Sequence, residues 1–363
     1  MKDKKIAIIT LHSVKNYGSI LQTYATQHYF EEMGLDSVII DFRRAWETKV
    51  GYWFYIGDKT LKGIARNVMY FPSKILQLFQ FSKFMNNYLK LTPKTYTCLE
   101  DFKKYPIKVD YFCTGSDQVW NSGWNNGVIQ EYFLNFADEN SKKISFAASF
   151  GNSNITNDEA ITIKPLIDSY DLITVREESS VEMLEKTFNL VSYEILDPTL
   201  QMDDIFWKSL CSTDRFISNK YVLLIQLNRN HEFDRLATNF TIDRGLKLVR
   251  LCLRVDQILL PGKHIIIPKV NDYIRLIRDA EYVLTDSFHA VSFCLNLEKQ
   301  FYVYYPEKYS ERLKSILSIM SLNDRELLNN NFNTKVNYSR IREILNKKRE
   351  FSRKLFKEII DEG

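Results

Sequence analysis

The sequence predicts an α/β protein made of two successive domains, each folded around its own parallel sheet. Two runs of alternating strands and helices, separated by a junction near residues 197–215, are the first observation. The second is that many strands are short apolar runs, as in "KIAIITL" and "YVLLIQL", which is typical of buried strands. This alternation indicates two Rossmann-like halves facing a cleft.

The first run opens with a βαβ unit, which favours a parallel sheet. A strand is predicted at residues 5–12, then a helix that opens near Ser19 and stops at Gly34, and then a strand at 36–42. The turn "HSVKNYGS" has a single glycine, so it lacks the glycine fingerprint of a dinucleotide site. Further strands are predicted in this half at residues 109–115, 142–150, 172–176 and 193–196.

Residues 50–90 interrupt the alternation with an aromatic and basic stretch. From Asp58 to Lys90 this stretch carries one acid and six bases. The apolar residues that approximate one helical stripe, interrupted by a proline, are Ile64, Val68, Ile75, Leu78 and Phe79. One interpretation is a pair of helices that covers the sheet or an oligomer face. The other is peripheral attachment to an anionic membrane surface.

The second run predicts strands at residues 220–227, 247–253, 263–268, 281–286 and 301–306, with helices between the later ones. We therefore expect an N-terminal domain over residues 1–200, which contains the 50–90 insertion, and a C-terminal domain over 215–335. Residues 336–363 form a basic amphipathic pattern, and we expect them to be a helix that crosses back over the first domain.

The composition is that of an ordinary globular chain and excludes several classes of protein. The net charge of 49 − 45 = +4 is too small to indicate nucleic-acid binding. Five cysteines without a CxxC pair are typical of a reducing cytoplasm. The apolar part of the N-terminus is too short for a signal peptide, and no apolar window is long enough to span a membrane. The scattered histidines predict no metal site.

Three short motifs place polar side chains directly after predicted strands, where ligands bind in open α/β sheets. "LTDSFHAVSF" puts His289 in the first turn of a helix that Asp286 and Ser287 open. "CTGSDQVWN" offers several donors and acceptors, together with Trp120 as a flat face for a sugar. "ITVREES" places Arg176 where its planar guanidinium suits a carboxylate or a phosphate.

Each motif also has a plainer interpretation. His289 can pack as an ordinary hydrogen-bonded residue, and "CTGSDQVWN" can be a capped turn with Trp120 in the core. Arg176 can form a salt bridge to Glu177 or Glu178.

Together with "NYGSILQTYA", "FAASFG" and "LDPTLQ", these motifs resemble the polysaccharide pyruvyl transferase family in their order and rough spacing. The resemblance runs from about residue 5 to about residue 325. It implies the two-domain GT-B arrangement. It also implies an enzyme that transfers pyruvate from phosphoenolpyruvate onto two saccharide hydroxyls as a cyclic ketal.

The same resemblance implies roles for particular residues. His289 matches the catalytic histidine, and Arg176 matches an arginine that holds the donor. Ser287 and Phe288 complete the donor side, where members often carry arginine and leucine before the histidine. The residues expected on the acceptor side or in the cleft are Asn16, Tyr17, Gly18, Ser116, Asp117, Gln118, Trp120 and Asn121. We expect the His289 imidazole to face Arg176 across the donor pocket.

Two other functions stay open on the sequence alone. One is a GT-B glycosyltransferase that uses a nucleotide sugar, and the other is a non-catalytic family member that binds saccharide. For the leading hypothesis the partners are phosphoenolpyruvate, as co-substrate, and a saccharide acceptor that is lipid-linked if the protein acts at a membrane. No further cofactor and no nucleic acid are expected. The expected location is the cytoplasm, at the inner face of the cytoplasmic membrane if the basic stretch binds lipid.

Overall fold

The computed structural model describes residues 4–48, 60–151, 155–211, 217, 220–306, 310–329, 332 and 334–361, with only the backbone of 61–67. These residues form two compact units. Unit 1 contains the described residues of 1–55, 86–201 and 345–363, and unit 2 contains those of 56–85 and 202–344.

The strands follow one another along the chain as β1 Lys5–Ile9, β2 Asp36–Phe42, β3 Leu91–Tyr96, β4 Tyr111–Thr114, β5 Lys142–Ser145, β6 Thr174–Val175, β7 Tyr193–Glu194, β8 Tyr221–Ile225, β9 Lys247–Cys252, β10 Lys263–Ile266, β11 Tyr282–Thr285 and β12 Gln300–Val303. The α-helices are α1 Tyr17–Glu32, α2 Leu61–Tyr88, α3 Leu99–Lys104, α4 Ser122–Asn125, α5 Asn157–Ile167, α6 Glu178–Phe188, α7 Pro198–Gln201, α8 Asp204–Leu210, α9 His231–Asp243, α10 Val270–Asp279, α11 Phe288–Asn296, α12 Glu311–Ile319 and α13 Tyr338–Asp361. Short 3-10 turns lie at Ala45–Glu47, Gln130–Phe133, Val255–Leu259, Asn323–Arg325 and Leu327–Asn329.

Unit 1 is built on a five-stranded parallel sheet with the order β3-β2-β1-β4-β5. Ala7 in β1 pairs with Val38 in β2 on one side and with Phe112 in β4 on the other. The strand order reverses beside β1, so the loops after β1 and β4 flank the topological switch point. The short parallel pair β6-β7 lies beyond β5, linked by a bridge between Ala148 and Val175.

Unit 2 repeats this arrangement with a five-stranded parallel sheet in the order β10-β9-β8-β11-β12. Its switch point lies between β8 and β11, where Leu223 pairs with Val283. The buried strand "YVLLI" has apolar residues on both faces because helices cover both sides of such a sheet. The two sheets confirm the α/β class and the two Rossmann-like halves predicted from the sequence.

Two elements of unit 1 differ from the sequence-based expectation. Helix α1 begins at Tyr17 rather than near Ser19, because the Asn16 side chain is the N-cap and accepts a hydrogen bond from the Gly18 N–H at 2.8 Å. Strand β3 was not predicted at all. Its Pro93 and its exposed side chains hide the strand pattern, and both are tolerated because β3 is an edge strand.

Helix α2 runs without interruption through Pro72, so the predicted break at this proline is wrong. The predicted pair of helices also takes in residues 49–59, which lie outside the described residues. Pro72 and Val68, whose carbonyl loses its helical partner, are both exposed, so water can hydrate that carbonyl. The described residues of 56–85 group with unit 2. The Ser73 hydroxyl accepts a hydrogen bond from the Val255 N–H at 2.8 Å.

The C-terminal helix α13 contributes its residues from 345 onward to unit 1. Its Phe356 ring is fully buried and packs edge-on against Tyr29, Phe30 and Phe146. The Lys4 ammonium donates a hydrogen bond to the Ile360 carbonyl at 2.6 Å. This aromatic cluster fixes the helix against α1 and the segment after β5.

Candidate functional site

In unit 1 the loops that follow β1, β4, β5, β6 and β7 all leave the same edge of parallel strands. A polar cluster occupies this edge, with Arg176 at its centre. The guanidinium donates to Asp197 Oδ2 at 2.8 Å and to Glu177 Oε1 at 3.2 Å, and it lies 4.0 Å from Asp117 Oδ1. All four residues are buried.

The three carboxylates of this cluster also accept hydrogen bonds from nearby hydroxyl groups. The donors are Ser116 and Thr199 to Asp197, Ser149 to Glu177, and Ser19 to Asp117, at 2.6–3.2 Å. The carboxylates are therefore solvated by protein hydroxyls in place of water, which makes their burial tolerable.

The electrostatic balance of the Arg176 cluster is one guanidinium against three carboxylates. Burial alone would lower the pKa of Arg176, but Glu177, Asp197 and Asp117 raise this pKa above its ordinary value. A surplus of carboxylates repels a phosphate or a carboxylate ligand. A direct contact between Arg176 and an anionic donor stays a prediction, and this geometry weighs against it. The alternative salt bridge to Glu177 is present.

The "GSDQVWN" loop after β4 is held in a conformation that few sequences allow. Asp117 has a positive φ of 73°, which places it in the left-handed region. A Cβ on Gly115 would lie 2.9 Å from the Thr10 Cβ, so the close approach of the β1 and β4 loops requires glycine there. Gly151 has a φ of +76°, and a Cβ added there would lie only 2.1 Å from Asn121 Nδ2, so this position also requires glycine.

Trp120 does not offer a face to a sugar in this structure. Its indole is buried, stacks on Phe133 at 5.2 Å between ring centroids, and packs against Phe150. The Nε1–H donates to the Tyr132 carbonyl at 3.0 Å. The acceptor role expected for Trp120 is therefore corrected to a core role, because both the ring and its polar atom have partners inside the unit.

The remaining acceptor-side residues lie together at the switch point of unit 1. Asn16 caps α1 and Asn121 caps α4, where its side chain accepts from the Trp124 N–H at 3.1 Å. Gln118 and Asn16 are half-buried, whereas Tyr17 and Gly18 are buried in the first turn of α1. Asn16 and Gln118 are thus the amides of the predicted set that are not fully buried.

One pair at this edge was missed by sequence reasoning. His12 lies in the loop after β1, and Asp41 lies near the end of the neighbouring strand β2. His12 Nε2 and Asp41 Oδ1 are 2.9 Å apart in the interior. Burial raises the pKa of Asp41, but hydrogen bonds from His12, Arg43 and Thr95 outweigh it and lower this pKa. Nearby, burial and the charge of Arg43 lower the pKa of Lys15 to about 8. The available signal was that His12 stands at the end of the first predicted strand, residues 5–12.

In unit 2 the "TDSFH" motif lies at the switch point between β8 and β11. Ser287 is the N-cap of α11 and accepts from the Ala290 N–H at 3.4 Å, and His289 stands in the first turn as predicted. The His289 ring is buried and lies edge-on to the Phe288 ring, with 5.3 Å between centroids. Helix α11 directs its positive end toward this loop.

Asp286 joins the two loops that flank this switch point. Its carboxylate accepts from the Leu227 N–H at 2.7 Å and from the Asn228 N–H at 2.9 Å. Burial raises the pKa of Asp286, and the hydrogen bonds from Leu227 and Asn228 oppose that shift. The β8 loop is therefore tied directly beside the residues that precede His289.

Two arginines at the same edge of unit 2 were also missed. Arg229 follows β8 and Arg254 follows β9, and both pair with the Asp256 carboxylate at 3.3 Å. One carboxylate facing two guanidiniums leaves a net positive charge. Arg229 directly follows Asn228, whose N–H donates a hydrogen bond to Asp286. The Arg229 side chain is largely exposed. The sequence does carry a signal for both arginines, which is a basic residue a few positions after a predicted apolar strand.

The structure thus gathers the predicted residues into two clusters. Asn16 to Gly18, Ser116 to Asn121 and Arg176 belong to unit 1, whereas Ser287 to His289 belong to unit 2. No group of His, Cys, Asp and Glu side chains suited to a metal ion occurs among the described residues. Within the same residues, no helix is long and apolar enough to cross a membrane.

Two Rossmann-like units, each with a polar cluster at its switch point, define a class of α/β proteins that bind ligands at the carboxyl ends of strands. A family model described as polysaccharide pyruvyl transferase matches residues 16–308. The chain belongs to this family. Family membership makes the protein a transferase that modifies saccharides in polysaccharide biosynthesis.

Solved structures with a similar course of the chain include sugar-nucleotide enzymes. The UDP-N-acetylglucosamine 2-epimerase from Rickettsia bellii has 13% identity and a TM-score of 0.47, and the match covers 99% of this chain and 98% of that chain. A glycosyltransferase from Rickettsia africae ESF-5 has 12% identity and a TM-score of 0.47, with 100% of both chains covered. The E. coli heptosyltransferase WaaC with ADP-2-deoxy-2-fluoro heptose has 10% identity and a TM-score of 0.38, covering 84% and 89%. No curated protein matches the chain.

Proposed function

We propose that the protein transfers pyruvate from phosphoenolpyruvate onto two hydroxyls of a saccharide, which closes a cyclic ketal. The observation that carries the proposal is the position of His289. In a chain that belongs to the pyruvyl transferase family, the histidine lies in the first turn of α11 at the switch point of unit 2. That turn is where an α/β sheet binds ligands and where a helix end favours an anion.

The proposed reaction balances without an oxidant or a reductant. The methylene carbon of phosphoenolpyruvate takes a proton, and the resulting cation-like C2 is attacked by one saccharide hydroxyl. A second hydroxyl then attacks C2 while the C2–O bond to phosphate breaks. Of the two protons that the hydroxyls lose, one matches the proton gained by the methylene carbon, and the other leaves with phosphate.

His289 is the group proposed to move these protons. A histidine exchanges protons near neutral pH, and positioned general acid–base catalysis contributes typically ~10²–10⁴-fold. Asp286 does not touch the reacting atoms in this scheme. Its two hydrogen bonds to the β8 loop position that loop beside His289.

The donor's negative charges need a cationic site, and unit 2 is where we propose that it lies. The first-turn N–H groups of α11 provide positive charge, and so do the guanidiniums of Arg229 and Arg254, which share Asp256 as their carboxylate partner. We propose that Arg229 replaces the arginine that other family members carry at the position of Ser287. Ser287 itself then serves α11 as its N-cap.

The acceptor is proposed to bind at the edge of unit 1. The cluster around Arg176 has more carboxylates than cations, so it disfavours an anion and tolerates neutral hydroxyl groups. Asn16 and Gln118 are the half-buried amides proposed to donate to saccharide oxygens. We further propose that the enzyme acts in the cytoplasm on a saccharide that is linked to lipid at the inner membrane face.

A direct assay separates the proposed reaction from its alternatives. The protein is incubated with phosphoenolpyruvate and a panel of saccharides, and released phosphate and acceptor mass are measured together. The proposal expects phosphate release that depends on the acceptor, with a product heavier by one pyruvate less one water. His289→Ala should abolish turnover. His264→Ala should not, since His264 lies in β10 and its ring is hydrogen-bonded to the Leu260 carbonyl. Turnover of a nucleotide sugar instead would make the protein a glycosyltransferase.

A further inference from the structure

The outer face of α2 carries an apolar stripe that is open to solvent. We define this outer stripe by its members Val68, Phe71, Ile75, Leu76 and Phe79. Val68 is 70% exposed, Phe79 is 63% exposed and Ile75 is 46% exposed. Such large apolar side chains are normally exposed singly, whereas these five lie on one helix within twelve residues of sequence.

Helical geometry shows that the stripe is one continuous face. Successive residues turn by about 100°, so the spacings of three and four between Val68, Phe71, Ile75 and Phe79 keep them on one side for roughly 17 Å. The opposite side is the one that packs on unit 2. There the Gln77 amide donates to the Leu253 carbonyl at 3.0 Å.

The charge along α2 has a single sign. The sequence has no aspartate or glutamate from residue 59 to residue 99, whereas α2 itself contains Lys62, Arg66, Lys74 and Lys83. Lys83 is exposed and lies one turn beyond Phe79, on the same side of the helix as the stripe. The face therefore combines apolar side chains with cationic charge.

This charge decides which occupant the face fits. A second copy of the chain would bring the same patch against itself in a closed two-fold dimer, so two cationic helices would repel each other. An anionic lipid surface provides both apolar depth and opposite charge. We propose that the outer stripe of α2 binds an anionic membrane surface, with the helix lying in the plane of the headgroups.

Helix α2 packs close to the edge of the unit 2 sheet that carries His289, so a membrane bound by its outer stripe would lie near that edge. Ser73 and Gln77 hold the helix against Val255 and Leu253, which directly follow β9. The end of β9 belongs to the same sheet edge as the loop that carries His289. Membrane contact through α2 therefore places that edge close to the lipid surface. The inference does not depend on phosphoenolpyruvate being the donor.

The test measures binding of the full chain to vesicles by flotation at moderate salt. Vesicles of phosphatidylcholine with phosphatidylglycerol should bind the protein, and vesicles of phosphatidylcholine alone should bind it far more weakly. Phe79→Asp should lower the partition coefficient at least about tenfold, because a phenyl ring no longer enters the lipid. Ile242→Asp is the matched control, since Ile242 is 69% exposed on α9 and should leave binding unchanged.

The electrostatic part is tested separately with Lys83→Gln. One base near an anionic surface contributes enough to lower binding about fivefold when it is removed. Lys186→Gln on α6 should have no effect, because Lys186 lies outside the outer stripe and its charge is paired with Glu182. Raising the salt concentration should weaken wild-type binding in the same direction.

Three results would overturn the inference. They are no binding to anionic vesicles, equal loss of binding with Ile242→Asp, and a dimer in sedimentation equilibrium that Phe79→Asp dissociates. The last result would assign the stripe to contact between copies. Circular dichroism and thermal unfolding establish that each variant is folded, and Phe79→Ser gives a second variant without a new charge. Phosphate release in detergent-free solution with a soluble acceptor separates a failure of this inference from a failure of the proposed reaction.

Discussion

Replacing Arg176 with methionine tests whether this arginine holds a buried cluster or a bound donor. Methionine keeps an unbranched side chain but removes the charge. The change breaks the hydrogen bonds to Asp197 and Glu177, and it leaves three buried carboxylates without their cation.

The expected cost follows from what those carboxylates keep. Removing one partner of a buried ion pair costs about 3–5 kcal/mol, because the other charge stays buried and unpaired. Asp197 still accepts from Ser116 and from the N–H and hydroxyl of Thr199, and Glu177 still accepts from Ser149. These donors place the expected loss at the lower end, about 3 kcal/mol of unfolding free energy.

Urea unfolding followed by circular dichroism measures this loss, with phosphoenolpyruvate KM measured on the same variant. Lys186→Met is the control for an exposed pair and should cost less than about 0.5 kcal/mol. We expect Arg176→Met to lose stability first, with lower activity following from the altered cluster. A stability loss below about 1 kcal/mol together with a large rise in KM would refute it and assign Arg176 to the donor.

Three further predictions concern single residues. Arg229→Gln should raise the KM for phosphoenolpyruvate about tenfold with little change in stability, whereas Arg235→Gln, an exposed change on α9, should leave both unchanged; equal KM values would contradict the donor role. Ser287→Ala should cost about 1 kcal/mol in thermal unfolding and Ser287→Gly only a few tenths, as expected for an N-cap; equal losses would contradict it. Since burial lowers the pKa of Lys15 from 10.5 to about 8, the unfolded chain binds the extra proton between these values and stability rises with pH across that window. Lys15→Met should therefore be more stable than wild type by about 1–3 kcal/mol below pH 8, and this advantage should disappear near pH 10.5. A stability difference that does not depend on pH would disprove the buried charge.

The parts of the fold that the sequence predicted are those controlled by local pattern. Apolar strands such as β8 and β11 and the capped start of α11 at Ser287 follow from neighbouring residues alone. Strand β3 escaped because an edge strand tolerates Pro93 and an exposed side. The helix does not break at Pro72, because the Val68 carbonyl that loses its hydrogen bond is on the exposed side and water can hydrate it.

The parts of the site that escaped prediction depend on residues distant in sequence. The burial of Trp120 is decided by Phe150 and Phe133, which pattern reading does not connect to it. His12 and Asp41 meet only because β1 and β2 are neighbours in the sheet. The position of His289 was predicted, since a strand end followed by a capped helix can be read from consecutive residues.

The most direct test of the account is a single incubation with phosphoenolpyruvate and a saccharide acceptor, analysed by mass spectrometry and phosphate release. Wild type should release phosphate and give an acceptor heavier by one pyruvate less one water, and His289→Ala should give neither while unfolding at the wild-type temperature. Unchanged turnover in His289→Ala would contradict the assignment of the catalytic residue. Consumption of a nucleotide sugar with phosphoenolpyruvate left intact would contradict the reaction itself.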